Sequence, residues 1–133
     1  MPRVLPRPTD AELAILRVLW TRGPSTVRQV HEALAEGRDT GYTTTLKIMQ
    51  IMADKGLVTR DESSRTHVYT SRLTQGQTQR QLVSDLMDRA FGGSAAALVL
   101  QALTAHPTTP EELREIRALI EEHARDIGDR DIG

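Results

Sequence analysis

Five residues between positions 42 and 50 carry groups that could read nucleic acid: Tyr42, Thr43, Thr44, Lys47 and Gln50. Hydroxyls bond phosphates or base edges, an ammonium reaches phosphate or guanine, and a glutamine amide reads adenine. They share the exposed side of one helix if Ile48, Met49 and Met52 take the buried side. The N-terminus of such a helix also favours a phosphate. A plainer reading stands beside this one: Thr43 and Thr44 cap the helix, and Lys47 and Gln50 form a solvated face. Taken alone, the helix favours the plainer reading. Its neighbours turn the balance toward DNA.

Arg60, Arg65 and His67 follow within a stretch rich in β-branched residues. They can touch backbone phosphates or the minor groove, Arg65 being the best placed. Asp61 and Glu62 would neutralise the same tip, so a purely structural hairpin is about equally supported. Arg3 and Arg7 suit a phosphate-seeking arm as well as a disordered tail.

Enzyme chemistry finds no constellation. His31, His67, His106 and His123 lack a metal-ligand spacing, and there is no HExxH. They read as surface or interface histidines. Glu111, Glu112, Glu115, Glu121 and Glu122 read as a solvated helix face, and Gly92-Gly93 lacks the frame of a phosphate loop. The chain has no cysteine, which excludes disulfides, thiolate metal sites and a cysteine nucleophile, and fits a reducing cytoplasm. The expectation is a protein that is not an enzyme and needs no cofactor or metal.

The reading groups must be held by helices and a hairpin, and the pattern supplies them. Thr9-Asp10-Ala11-Glu12 is a capping box opening a first helix, with Leu13, Ile15, Leu16, Leu19 and Trp20 on its apolar face and Gly23-Pro24 ending it. Ser25 can cap a second helix that buries Val27, Val30 and Leu34. Residues 37–41 are a turn. A third helix runs from Tyr42 or Thr43 to Lys55, burying Thr45, Ile48, Met49 and Met52, with Gly56 as its left-handed stop. Residues 57–60 and 66–70 form a hairpin around a polar turn at 61–65. Three short helices followed by a hairpin is the winged-helix order.

Beyond Leu73 the character changes. Residues 74–91 read as a helix with a stripe of Leu82, Val83, Leu86 and Met87. Gly92-Gly93 breaks it, and Ser94 caps a helix over 95–105 that is apolar almost all round. Thr109-Pro110-Glu111-Glu112 opens a last helix to about Asp126, with Leu113, Ile116, Leu119 and Ile120 facing inward. Residues 95–100 with Leu103 offer more apolar surface than one short helix needs, which usually marks an interface. Two neighbouring helices of the same chain could also hide it. A two-fold homodimer is favoured, because a palindromic site doubles the few contacts of one winged helix. Leu82, Leu86, Phe91, Leu98, Val99, Leu103, Ile116, Leu119 and Ile120 are the expected dimerisation residues.

Composition agrees. The chain has 133 residues, 38% hydrophobic and 26% charged, with only Trp20, Tyr42, Tyr69 and Phe91 as aromatics. Its core must therefore rest on aliphatic helix packing. Net charge is −1, but residues 1–73 hold eleven Lys/Arg against eight Asp/Glu, and residues 74–133 hold six against ten. A basic front and an acidic back suit a DNA reader with a separate association module. The start is too short and proline-broken for a signal peptide, and the longest apolar run is too short for a membrane. The expected fold is mainly α with a small antiparallel β wing: a flexible arm at 1–8, a winged helix-turn-helix at 9–73, a helical dimerisation module at 74–126 and a flexible tail at 127–133. The expected location is cytoplasmic.

The ordered set of these pieces resembles the penicillinase-repressor (BlaI/MecI) family over about residues 9–122. Thr9-Asp10-Ala11-Glu12-Leu13 with Leu19-Trp20, Tyr42-Thr43-Thr44-Thr45 and Lys55-Gly56-Leu57-Val58 carry it in the front half. Phe91-Gly92-Gly93-Ser94, Leu98-Val99-Leu100 and Glu111-Glu112-Leu113 carry it in the back half. The resemblance implies a homodimeric repressor on a palindromic operator in double-stranded DNA. It also implies relief by a membrane sensor metalloprotease, with a cut in the segment Leu100-Gln101-Ala102-Leu103, between Gln101 and Ala102 by position. Leu46 departs from the basic residue that some members carry, and the C-terminal cysteines of a copper-responsive branch are missing. A ligand-responsive winged-helix regulator of another family and a winged-helix protein-interaction module are the alternatives.

Overall fold

The computed structural model describes residues 7–35 and 41–132. Residues 1–6 with Arg3, the 37–40 part of the expected turn, and Gly133 lie outside the described residues. The elements are α1 (Asp10–Arg22), β1 (Ser25–Thr26), α2 (Val27–Ala35), α3 (Tyr42–Lys55), β2 (Val58–Asp61), β3 (Val68–Ser71), α4 (Gln75–Ala90), α5 (Ala95–Ala105) and α6 (Pro110–Ile132). The fold is mainly helical with one small antiparallel sheet, as expected. The chain divides into two compact units, Met1–Asp85 and Leu86–Gly133.

In the first unit, α1 starts on the expected capping box. The Thr9 hydroxyl accepts the Glu12 amide at 3.2 Å, and the Glu12 carboxylate accepts the Thr9 amide at 2.9 Å. Ile15, Leu16 and Leu19 are buried, and Gly23 ends the helix at a φ of 89°. The next cap differs from expectation. Ser25 is not the cap of α2; with Thr26 it forms β1, pairing antiparallel with β3. Thr26 and Gln29 bond reciprocally instead, each side chain to the other's amide. Ser25 is buried, and its hydroxyl donates to the Gly23 carbonyl at 2.8 Å. A small hydroxyl that can turn back on its own chain is what lets a polar residue enter this corner.

The sheet order is β1-β3-β2, with Arg60 opposite Tyr69 and Thr59 opposite Thr70. The hairpin strands are shifted relative to the sequence reading, and the second is shorter: Leu57 precedes β2, and β3 begins at Val68 and ends at Ser71. The core gathers Ile15, Leu16 and Leu19 of α1, Val27 and Val30 of α2, Met49 and Met52 of α3, and Leu57, Val58 and Tyr69 of the hairpin. Burying each such aliphatic side chain contributes roughly 1.5–3 kcal/mol, so this cluster fixes the three helices against the sheet. Ile48 packs against it only partly buried. Trp20 is half-buried, and its Nε1 donates to Ser71 Oγ at 3.0 Å and the Leu73 carbonyl at 3.1 Å. That pair of bonds ties the end of the wing to α1. Arg7 donates to Asp85 at 2.6 Å, so the last part of the expected loose arm has a carboxylate partner.

In the second unit, Gly92 and Gly93 adopt φ values of 56° and 79°, which glycine reaches without a Cβ clash. Ser94 accepts the Ala97 amide and caps α5. Thr109 accepts the Glu112 amide at the start of α6. α6 does not stop near Asp126 as the sequence reading had it; it continues as helix to Ile132 through the segment expected to be a flexible tail. Gly128 is the weakest helix former there, and one glycine costs only about 1 kcal/mol in a helix already running. Leu113, Leu119 and Ile120 do not face inward within the chain either: they are 44%, 64% and 56% exposed. α5 has no buried residue. Two helices without a facing layer cannot cover both apolar stripes.

Candidate nucleic-acid interface

α3 begins at Gly41, whose extended backbone makes no side-chain cap. The Gly41 carbonyl accepts the amides of Thr44 and Thr45 at 3.1 and 3.2 Å. The hydroxyls of Thr43 and Thr44 are therefore not the caps that the plainer sequence reading made them. Thr45 points inward, buried, with Oγ1 3.4 Å from His31 Nδ1. Gly56 closes the helix at φ 84° and ψ 17°, the left-handed geometry expected of it.

Between these ends α3 presents Tyr42, Thr43, Thr44, Lys47 and Gln50 as exposed residues, while Thr45, Met49 and Met52 are buried. The structure brings part of this set together with the wing. Tyr42 and Gln50 line a cleft of about 540 Å³ with Arg60, Arg65 and His67, bounded also by Thr26, Arg28, Leu46 and Glu62. Thr43, Thr44 and Lys47 are exposed on α3 but do not line that cleft. An α-helix flanked by a concave, cation-bearing strip is a shape that can sit on a duplex, with the helix toward the groove and the strip toward phosphates.

Two charged residues of the cleft were not among the DNA-contact candidates of the sequence. Arg28, in the first turn of α2, places its guanidinium 5.5 Å from the centre of the Tyr42 ring, a cation–π contact that orients both. The His31 ring also meets Tyr42 edge-on, 5.8 Å between ring centres. The Thr26–Gln29 cap could have flagged Arg28, since residues just after a cap sit at the exposed start of a helix. Glu62 is the second. It bonds Arg60 at 2.7 Å, Nε to Oε1, and so brings a carboxylate into a cationic cleft.

The wing tip is organised by Asp61, whose carboxylate accepts the Ser63 amide at 2.9 Å. Hydrogen bonds from Ser63, side chain and backbone, hold that carboxyl below the ordinary carboxylate range, with a smaller contribution from His67. Tyr69 and Glu62 both favour the charged form of Arg60, Tyr69 more strongly. At the other end of α3, Glu12 is 3% exposed and bonds Lys55. Burial alone would raise its pKa, but the Thr9 amide and the Lys55 ammonium outweigh that and leave it lowered.

The expected dimerisation residues are uncovered to different degrees. Leu82, Phe91, Leu98 and Ile116 are half-buried; Leu86, Val99, Leu103, Leu119 and Ile120 are exposed. Leu100 is 61% exposed. Gln101 and Ala102 are exposed and lie inside α5, not in a loop. On α6, Glu111 pairs with Arg114 and Glu121 with Arg117, both at 3.4 Å, so the acidic residues form a solvated, partly paired face. Among the described residues there is no cluster of His, Asp or Glu suited to a metal, and no helix is long and apolar enough to cross a membrane.

Comparison with known proteins agrees with the sequence resemblance. A family model described as penicillinase repressor matches residues 8–122. A protein of Mycobacterium tuberculosis named transcriptional regulator BlaI is 40% identical over 98 residues, which cover 71% of each chain. The penicillinase repressor of Bacillus licheniformis is 23% identical over 119 residues, covering 90% of this chain and 93% of that one. The solution structure of the DNA-binding domain of the repressor BlaI aligns at a TM-score of 0.49 and 22% identity, over 56% of this chain and 90% of that one.

Proposed function

The chain belongs to the penicillinase repressor family, and from that membership we propose that it is a DNA-binding transcriptional repressor and not an enzyme. It acts in the cytoplasm as a homodimer on a palindromic operator, with residues 9–73 as the reader and 74–126 as the pairing module. The observation that carries this reading is the shared cleft: Tyr42 and Gln50 of α3 meet Arg28, Arg60, Arg65 and His67 in one concavity. Thr43, Thr44 and Lys47 stand exposed on the same helix. Lys47 and the wing cations serve phosphates, and Thr44 and Gln50 serve base edges.

Dimerisation through Leu82, Leu86, Phe91, Leu98, Val99, Leu103, Ile116, Leu119 and Ile120 is supported by the exposure of large apolar residues on α5 and α6. Monomeric soluble proteins rarely leave such stripes uncovered. Relief of repression by a membrane sensor metalloprotease acting at Gln101–Ala102 is supported by the family membership and by the exposure of both residues. Because they lie within α5, cleavage there requires the helix to open locally before it fits a protease cleft. The cut would part α6 from the reader and so undo pairing.

The test is selection of duplexes from a randomised DNA library by the protein, then anisotropy titration of the enriched duplex and a scrambled duplex at one salt concentration. The repressor reading expects the enriched duplex to bind at least ~10³-fold more tightly. Equal affinity for the two would sink it.

A further inference from the structure

We propose that Glu62 is an intramolecular competitor for Arg60, so that the wing engages DNA through Arg60 only by displacing a carboxylate of its own chain. The proposal rests on the DNA-binding reading above and goes beyond it by assigning an acidic residue of the wing a role in setting affinity.

The geometry of the wing carries it. Arg60 stands opposite Tyr69 across the β2–β3 ladder, on the strand face that lines the cleft. Glu62 follows two positions later, one residue past the end of β2. Its Oε1 lies 2.7 Å from Arg60 Nε, and both side chains line the cleft. The neighbouring acid, Asp61, is committed elsewhere: it accepts the Ser63 amide and shapes the turn. Glu62, 55% exposed, is thus the wing carboxylate that faces the cations of the cleft. Arg65, by contrast, has no carboxylate at ion-pair distance among the described residues.

A guanidinium binds carboxylate and phosphate with the same planar fork, so the two compete for one site. The Arg60–Glu62 pair is partly solvated, and solvated ion pairs are weak enough to exchange. When DNA takes Arg60, Glu62 is released beside phosphates that repel it. The wing therefore gains one phosphate contact and keeps one unfavourable charge. Removing the charge should restore close to one full phosphate equivalent.

The experiment uses the full chain, a duplex enriched from a random library by the wild-type protein, and a scrambled duplex. Wild type, Glu62→Gln, Arg60→Gln and the double variant are titrated from 50 to 200 mM salt. Circular dichroism checks that each is folded. Glu62→Gln should tighten binding about three- to five-fold at 0.1 M salt and steepen the log–log salt slope by about 0.9 per bound wing. In the Arg60→Gln background the same substitution should have less than half that effect, because the competition runs through Arg60. An equal effect in both backgrounds would show simple repulsion between Glu62 and DNA and overturn the competition. No effect of Glu62→Gln on a duplex that the wild type binds would overturn it as well. If the wild type enriches no sequence and binds no duplex, the DNA reading itself fails.

Discussion

Lys55 Nζ donates to both carboxylate oxygens of Glu12, at 3.1 and 2.9 Å, and so joins the last residue of α3 to the first turn of α1. The same carboxylate accepts the Thr9 amide. One buried acid thus closes the cap of the first helix and anchors the far end of the helix proposed to read DNA. The near end of α3 has no side-chain cap. Its position depends on core packing through Met49 and Met52 and on this link.

Lys55→Met should destabilise the protein by about 1–3 kcal/mol at pH 7, because it leaves a buried carboxylate with one partner fewer. The pH dependence has a definite sign. The folded-state pKa of Glu12 is lowered from its ordinary 4.5. Its contribution is full above that value and is lost as pH falls through it toward the folded pKa. Urea unfolding at pH 7 and at pH 3.5 should show the gap between wild type and Lys55→Met shrinking in acid. A gap that stays constant would mean that the charge of Glu12 does not matter to the link.

Gly56→Ala should lower stability by about 1–2 kcal/mol, since φ is 84° and an L side chain is strained there. An added Cβ would lie 2.9 Å from Arg72 Nη1, but that atom ends a flexible side chain and can move. Backbone strain is therefore the larger effect. Thermal unfolding checks it, with an expected fall in Tm of several degrees. An unchanged Tm would place the stop of α3 elsewhere.

These two sites mark what was legible in the sequence. Gly56 was, because a glycine after a periodic apolar helix has one strong physical meaning. Glu12 was legible as a cap but not as a buried ion pair, since its partner lies 43 positions away and no local pattern joins them. β1 was not legible for a related reason: two residues, Ser25 and Thr26, pair with β3 only because the chain returns there. Their types suited a helix cap, and Thr26 is one. In the interface, the exposure of Tyr42, Thr43, Thr44, Lys47 and Gln50 followed from helical period. The role of Arg28 did not, because it depends on Tyr42, brought in by tertiary packing; Glu62 was legible as a neutralising charge at the tip, but its direct bond to Arg60 was not.

Lys47→Ala and Thr44→Ala should separate positioning from reading. Both residues are exposed, so neither change should alter the unfolding free energy by more than about 0.5 kcal/mol. Loss of a phosphate contact at Lys47 should weaken enriched and scrambled duplexes alike and flatten the salt slope by about 0.9. Loss of a base contact at Thr44 should weaken only the enriched duplex and leave the slope unchanged. Anisotropy titrations over a salt series distinguish the two. Identical effects of both variants on both duplexes would refute the assigned division of roles.

Leu119→Asp should convert the proposed dimer to monomer. Among the described residues Leu119 is the most exposed large apolar side chain of α6, at 64%, with Ile120 beside it at 56%. In the free chain an aspartate there meets water and should leave the helix intact, because one such substitution costs only a few tenths of a kcal/mol in propensity. In a dimer it would be buried without a partner, which is strongly unfavourable. Sedimentation at micromolar concentration should therefore show a dimer for the wild type and a monomer of unchanged helicity for the variant. DNA affinity should fall steeply in parallel, since one winged helix reaches only half of a palindrome. A variant that stays dimeric would move the interface off this face of α6. A variant that is monomeric yet binds the enriched duplex as tightly as the wild type would show that a single reader suffices.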